Sequence, residues 1–251
     1  MPRVLIIGGG IAGTAAALAL GKAAIDATVY EAHPLNSQDG GAFLTLASNG
    51  MQALRQLDAD DAVSAVIRGS AAFGYIVTAQ PDTWWFCRVT DTELSGDEIT
   101  SGTTPRWKAA LITRLQDDQT RAAGIVRSAH QILVTNAYDL PDVPRWHRDH
   151  LLVIGDAAHA ASPATGQGAS MALEDAVILA KSLRDAPDPA SAFVVYEQLR
   201  RDRVQANIIA SARMSAPGHP GDRSHPSSAA QRVTHIDEAI KTQLHWRTPL
   251  A

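Results

Sequence analysis

The sequence predicts an α/β fold, a parallel sheet with flanking helices, and three observations carry that prediction. Two apolar runs, Val4 to Ile7 and Leu151 to Ile154, each stop at a glycine, as strands buried in a parallel sheet do before a tight turn. Both turns lead into helical patterns. The first is rich in Ala and Leu from Ile11 to about Ala24, and the second carries Met171, Leu173, Val177, Ile178, Leu179 and Leu183 at helical spacing. Ala27 to Tyr30 is another strand-like run, which completes a strand, helix, strand order.

The first turn reads Gly8-Gly9-Gly10-Ile11-Ala12-Gly13, a G-x-G-x-x-G pattern in the setting that gives it meaning, strand before and helix after. Gly8 permits the turn, Gly10 lets the backbone approach a pyrophosphate, and Gly13 lets the helix sit close on the sheet. Glu31 follows the second strand at the distance expected of a carboxylate that holds ribose hydroxyls. An acid there repels a 2′-phosphate, so the pattern suits the adenosine half of FAD or NAD rather than NADP. The unit is Rossmann-like.

The second turn runs Gly155-Asp156, then small residues, Pro163 and Gly166-Gln167-Gly168. A helix started on glycines leaves its first N–H groups bare, with the positive end of the helix dipole behind them, and so favours an electron-rich group. Asp156 does the opposite, since a carboxylate accepts hydrogen bonds from hydroxyls. Together they suit a ligand that offers hydroxyls at one point and a carbonyl a short way on.

The 251 residues suffice for a large core, and 45% hydrophobic with 19% charged is ordinary for a globular chain. A net charge of −4 leaves no nucleic-acid footprint, and a single cysteine, Cys87, allows no internal disulfide. The start MPRVLIIGGG enters a strand at once, without a charged leader, and no apolar stretch has the length of a membrane span. A cytoplasmic protein is the expectation.

Elsewhere, His33 to Gly41 reads as a loop and Met51, Leu54 and Leu57 as one side of a helix. Ala72 to Thr78 and Trp84 to Val89 form a predicted hairpin, and its Trp84, Trp85 and Phe86 alternate across two faces, so at least one ring needs cover. Thr92 to Thr104 reads as a polar loop, Trp107 to Leu115 and Thr120 to Val126 as helices, and Gln131 to Thr135 as a strand. Ala190 to Met214 is a long helix whose Arg200, Arg201 and Arg203 read as a solvated face. Ala216 to Ser228 reads as a linker and Ala229 to Trp246 as a last amphipathic helix.

The glycine fingerprint with Glu31, together with Gly155-Asp156, Pro163 and Gly166-Gln167-Gly168, resembles the FAD-dependent aromatic hydroxylases, the flavoprotein monooxygenases related to p-hydroxybenzoate hydroxylase. The likeness covers residues 3–67 and 130–214, and is densest from Thr135 to Pro163. It implies an FAD-binding domain over residues 1–70 and 130–214, a reduced β-hairpin remnant of a substrate domain over 71–129, and a linker with a C-terminal helix over 215–251. It implies FAD contacts at Gly8, Gly10, Ile11, Ala12, Gly13, Glu31 and Ala32 for the adenosine and pyrophosphate. Asp156 would hold the ribityl and pyrophosphate part, and Pro163, Gly166, Gln167, Gly168 and Ala169 the pyrimidine end of the flavin.

The activity so implied is a monooxygenase in which NADH or NADPH reduces the flavin transiently, and a flavin C4a-hydroperoxide hydroxylates or epoxidises a small aromatic or unsaturated substrate. The family's long middle stretch departs most: from Ile67 the chain passes directly into the last hairpin of the substrate-domain sheet. An alternative follows, a shortened relative that acts as a partner-binding subunit. The exposed aromatic hairpin predicts a homodimer. No catalytic acid or base stands out, and His159 reads as a structural histidine. A zinc site at His147, His150 and His159 lacks a cysteine and a fourth ligand, and Ser162 sits in no nucleophile elbow, against a hydrolase triad with His159 and Asp156.

Overall fold

The computed structural model describes residues 3–33, 46–62, 75–77, 83–87, 89, 91–115, 122–215 and 238–250. The chain divides into two compact units, residues 1–67 with 138–251, and residues 68–137.

The first unit begins with β1 (Val4–Ile7), α1 (Ile11–Lys22) and β2 (Ala27–Tyr30), and β1 pairs with β2 in parallel from Val4↔Ala27 to Ile7↔Tyr30. The pleat sends Val4 and Ile6 toward the core, while Leu5 and Ile7 on the other face stay 58% and 83% exposed. This corrects the reading of β1 as buried on both faces: among the described residues only one face of this two-stranded sheet is covered.

After α2 (Ser48–Gln56), the unit resumes with β5 (His147–Arg148), β6 (Leu151–Leu152), α6 (Asp156–His159), α7 (Gly168–Asp185), α8 (Pro189–Ser215) and α9 (Glu238–Leu244). The structure corrects the expected parallel strand over Leu151 to Ile154. It is a two-residue strand paired antiparallel with β5, turned at Asp149 with φ +52°, and Leu151 is 74% exposed.

The centre is α7. All thirteen residues from Ser170 to Ser182 are buried, because α1, α2, α8 and α9 each pack on it. Alanines 15, 16 and 19 of α1 are buried and keep helix surfaces close, while Leu20, Val177 and Ile178 contribute roughly 2 kcal/mol each by burial.

The far end of α7 clasps the C-terminal segment. The ammonium of Lys181, fully buried, donates to the carbonyls of Gln243 and His245, the latter at 2.7 Å, and Arg184 donates to Trp246 O at 2.6 Å. Gln243 O lies in the last turn of α9, where no helical amide reaches it, and His245 and Trp246 follow the helix, with His245 O also accepting from Thr248 N at 3.1 Å. Lys181→Met is expected to loosen residues 238–250, seen as faster amide exchange there while α1 keeps its protection. Of the expected helix from Ala229, residues 229–237 lie outside the described residues.

The second unit holds the hairpin of β3 (Tyr75–Val77) and β4 (Thr83–Trp85), antiparallel with Tyr75↔Trp85 and Val77↔Thr83. Phe86 beyond it is 52% exposed. Helices α3 (Gly96–Ser101), α4 (Thr104–Arg114) and α5 (Ala122–Ser128) follow. The first corrects the polar-loop reading of Thr92 to Thr104. Ser95 and Glu98 form a reciprocal capping box that starts α3, and Thr103 caps α4. Gln131 to Thr135, expected as a strand, is irregular backbone.

Candidate functional site

The fingerprint turn leaves β1 at Gly8, whose φ of +105° suits glycine, and enters α1 with Gly10 as N-cap. A Cβ on Gly13 would lie 1.9 Å from the Gly8 carbonyl oxygen, so only glycine lets this helix approach this strand. Gly8 and Gly10 differ: a Cβ on either would meet nothing within 4 Å. Their backbone faces open space that side chains would otherwise fill. Amides in the first turn of a helix lack intrahelical acceptors, so this opening is edged by donors.

Glu31 stands at the end of β2, as expected, and closes onto the fingerprint. Its Oε2 accepts from Gly9 N at 2.6 Å and its Oε1 from His33 N at 2.8 Å. These amides of His33 and Gly9 hold its carboxyl below the usual carboxylate range. Each oxygen keeps a further lone pair for a hydroxyl.

Gly155 is the hinge between the two glycine motifs. It has φ +58° and ψ −143°, and its built Cβ would lie 2.6 Å from the Ala12 Cβ in the first turn of α1 and 3.9 Å from the Ala172 Cβ on α7. Ala172 is one helical turn past Gly168, about 6 Å along the axis. The start of α1, the Gly155-Asp156 turn and the start of α7 therefore meet at one place. Asp156 opens the single turn α6 and is exposed.

The segment from Pro163 to Gly168 is pinned from behind. Gly166, with φ +64°, donates its amide to Pro163 O at 3.1 Å, and Thr165 donates to Asn207 Oδ1 of α8 at 2.8 Å. Ser211 of α8 donates to Ser162 O at 2.9 Å. Gln167 is the N-cap of α7, with its side chain buried and its Oε1 without a hydrogen-bond partner. Gly168 opens onto free space, as Gly8 and Gly10 do. Thus Gly8, Gly10, Ile11, Ala12, Gly13 and Glu31 form one group, with Ala32 next in the chain. Asp156, Pro163, Gly166, Gln167, Gly168 and Ala169 form another, and the contact of Gly155 with Ala12 joins them.

Behind this junction lies a buried charge network, which corrects the reading of the α8 arginines as a solvated face. Arg200 is 2% exposed. Its Nε donates to Asp175 Oδ1 at 2.7 Å, its Nη1 pairs with Glu174 at 2.5 Å, and its Nη2 donates to Met171 O at 3.2 Å. Arg203 grips both oxygens of Glu174 at 2.7 Å, and Asn49 Nδ2 donates to Glu174 Oε1 at 2.8 Å. Arg201 donates to Glu197 at 2.8 Å and lies 4.8 Å over the Trp146 ring. Two acids in the buried stretch of a helix must meet cations or be uncharged. That rule, applied to Glu174-Asp175 within an apolar helical run, was the available signal for Arg200.

His159 is structural in its contacts: it is buried, with Nε2 at 2.6 Å from Asp175 Oδ2 and its ring 5.9 Å from that of Trp146. Among the described residues no group of three or more His, Cys, Asp or Glu could hold a metal ion. Ser162 Oγ bonds Ser215 Oγ at 2.8 Å.

Burial alone would raise the Asp175 carboxyl, but the adjacent Arg200 and His159 pull it down to about 2 from 3.8. A depressed folded-state value stabilises the fold above the unfolded value and is lost as pH falls. The Asp175 contribution, on the order of 2 kcal/mol, is expected to be whole above about pH 4 and to disappear toward pH 2. Urea denaturation across that range checks it, and a flat profile there counts against the ion pair.

Residues 100–211 match the family described as "FAD binding domain". The Aurachin C monooxygenase/isomerase of Stigmatella aurantiaca is 26% identical over 148 residues, 58% of this chain and 37% of that protein. The 3-hydroxybenzoate 6-hydroxylase of Klebsiella oxytoca is 45% identical over 106 residues, 42% of this chain and 25% of that one. Over these stretches the chain is similar to FAD-dependent monooxygenases.

It spans well under half the length of these curated relatives. The fold agrees: the crystal structure of Klebsiella pneumoniae HpxO, complexed with FAD and uric acid, superposes with a TM-score of 0.63 at 15% identity, covering 97% of this chain and 96% of that one. The small parallel sheet with helices thus fits the α/β fold of that FAD-bound neighbour and an FAD-binding domain. No helix among the described residues is long and apolar enough to cross a membrane.

Proposed function

We propose that this chain binds FAD along the junction of its two glycine-started helices and serves as an FAD-dependent monooxygenase for a small aromatic or unsaturated substrate. The observation that carries this is the approach of Gly155 to Ala12, with Gly8, Gly10 and Gly168 facing open space. The residues present fit the cofactor. Gly10 and the first amides of α1 would take the pyrophosphate, and Glu31 the ribose hydroxyls. Asp156 would accept from the ribityl chain, and Pro163 with Gly166 to Ala169 would line the pyrimidine end, where the dipole of the eighteen-residue α7 favours negative charge. Bound FAD, reduced by NADH or NADPH, supplies the oxygen-activating chemistry. The protein's part is to hold the ring, keep water out and favour charge at its pyrimidine edge.

The β3–β4 hairpin is read as the remnant of a substrate domain within residues 71–129, in a chain whose FAD-binding domain is 1–70 and 130–214. The exposed Leu5, Ile7 and Leu151 favour cover by a second copy, a homodimer. The same surface favours a second reading, a partner-binding subunit without catalysis. A cytoplasmic site suits either reading.

Titration with FAD, followed by absorbance, tests the proposal. A bound flavin spectrum, and NADH or NADPH oxidation that depends on FAD and oxygen, are the expected results. Protein that leaves the flavin spectrum unchanged, and is colourless once free FAD is removed by gel filtration, sinks the enzyme and leaves the partner-binding subunit.

A further inference from the structure

We infer that Asp175 is a positioning residue, whose carboxylate fixes the Gly155-Asp156 turn against α7 and so sets where the Asp156 carboxylate stands beside the two glycine-started helices. The inference rests on the reading of that junction as an FAD site. The two neighbouring acids of α7 face different partners. Glu174 is taken up by Arg200, Arg203 and Asn49, which ties α7 to α8 and α2. Asp175 turns toward the loop. Its Oδ1 accepts from Arg200 Nε at 2.7 Å, while its Oδ2 lies 2.9 Å from Gly155 N and 2.6 Å from His159 Nε2.

Those two loop donors bracket Asp156, one residue before it and three after. A turn bound on both sides to one buried, fully enclosed carboxylate presents the residue between them in one way. Gly155 cannot fix the turn by itself, because glycine enters and leaves a φ of +58° and ψ of −143° without strain. Arg200 keeps the Asp175 carboxylate charged and its plane oriented, since a guanidinium offers donors in a fixed fork. Asp156 itself is exposed, so the buried acid one layer behind supplies the rigidity that the binding acid lacks.

Three substitutions in the full chain test this: Asp175→Asn, Glu174→Gln and His159→Phe. An asparagine has one acceptor oxygen, so it cannot serve Arg200 on one side and the loop donors on the other. In FAD-free protein, amide hydrogen exchange at Gly155 and the next few residues is expected to rise in Asp175→Asn and to stay near wild type in Glu174→Gln. This difference is expected even where the two variants lose similar thermal stability. FAD titrated by flavin fluorescence is expected to bind Asp175→Asn at least about tenfold more weakly, and Glu174→Gln within about twofold of wild type. His159→Phe keeps an aromatic ring, though a larger one, and loses one of the two loop bonds, so it falls between. It also carries the test should Asp175→Asn fail to fold. Equal exchange at Gly155 in the Asp175 and Glu174 variants, or equal FAD affinity, overturns the inference. Wild-type protein that takes up no FAD defeats the proposed function instead, and the exchange comparison still decides whether Asp175 holds the turn.

Discussion

Gly155→Ala is expected to destabilise the chain by about 3 kcal/mol or more, from two separate causes. At φ +58° and ψ −143° an L side chain is strained in any surroundings, which costs about 1–3 kcal/mol. The new methyl would also stand 2.6 Å from the Ala12 Cβ, well inside contact distance, and relieving such an overlap costs a further 1–3 kcal/mol, roughly. The two parts separate in a cycle with Ala12→Gly. Removing the Ala12 methyl relieves the overlap and leaves the backbone strain, so the double variant is expected to recover part of the loss, beyond the roughly 1 kcal/mol that glycine costs in a helix. Urea denaturation measures each term. A loss under about 1 kcal/mol in Gly155→Ala would show that the turn and α1 do not meet as described.

Arg200→Met ranks second. It leaves Asp175 with His159 and the Gly155 amide, and Glu174 with Arg203 and Asn49, inside a helix buried over thirteen residues. Removing one partner of a buried ion pair costs about 3–5 kcal/mol, which for a chain of this size lowers the melting temperature by roughly 10 °C. The loss has a pH signature. With the guanidinium gone, burial is opposed only by His159 and the Gly155 amide, so the Asp175 carboxyl moves upward from its present depressed value. A folded carboxyl that binds its proton more readily than in wild type makes the deficit grow with pH, so it is expected to be largest near pH 7 and to shrink toward pH 3, where Asp175 is protonated more fully in the variant than in wild type. Thermal melts at the two pH values check it. A deficit that does not change with pH would mean that Arg200 acts by packing and not by charge.

The two glycine motifs were legible because their signals are local. The order of strand, glycines, helix, strand and acid placed α1, β2 and Glu31 where they are found, and glycines before an apolar helical run marked the start of α7. Capping is as local, and the Ser95 and Glu98 spacing marks α3, although the surrounding polarity suggested a loop. Gln131 to Thr135 and Leu151 to Ile154 misled for another reason. Branched and apolar composition states that a segment can pair, but the pairing depends on a neighbouring strand. Among the described residues β6 pairs only with β5, two residues against two. The α8 arginines misled because a charge has two opposite homes, water or a buried partner, and the choice depends on residues 25 and 26 positions away.

The sequence by itself determined the two glycine turns, the helices that follow them and the acids Glu31 and Asp156, since each needs only a few adjacent residues to set its backbone. Only the tertiary structure decided that Gly155 lies on Ala12, that Asp175 holds the turn and that Arg200 is inside. Close approach and charge burial are properties of surfaces brought together, and no residue carries them until its distant partner is in place.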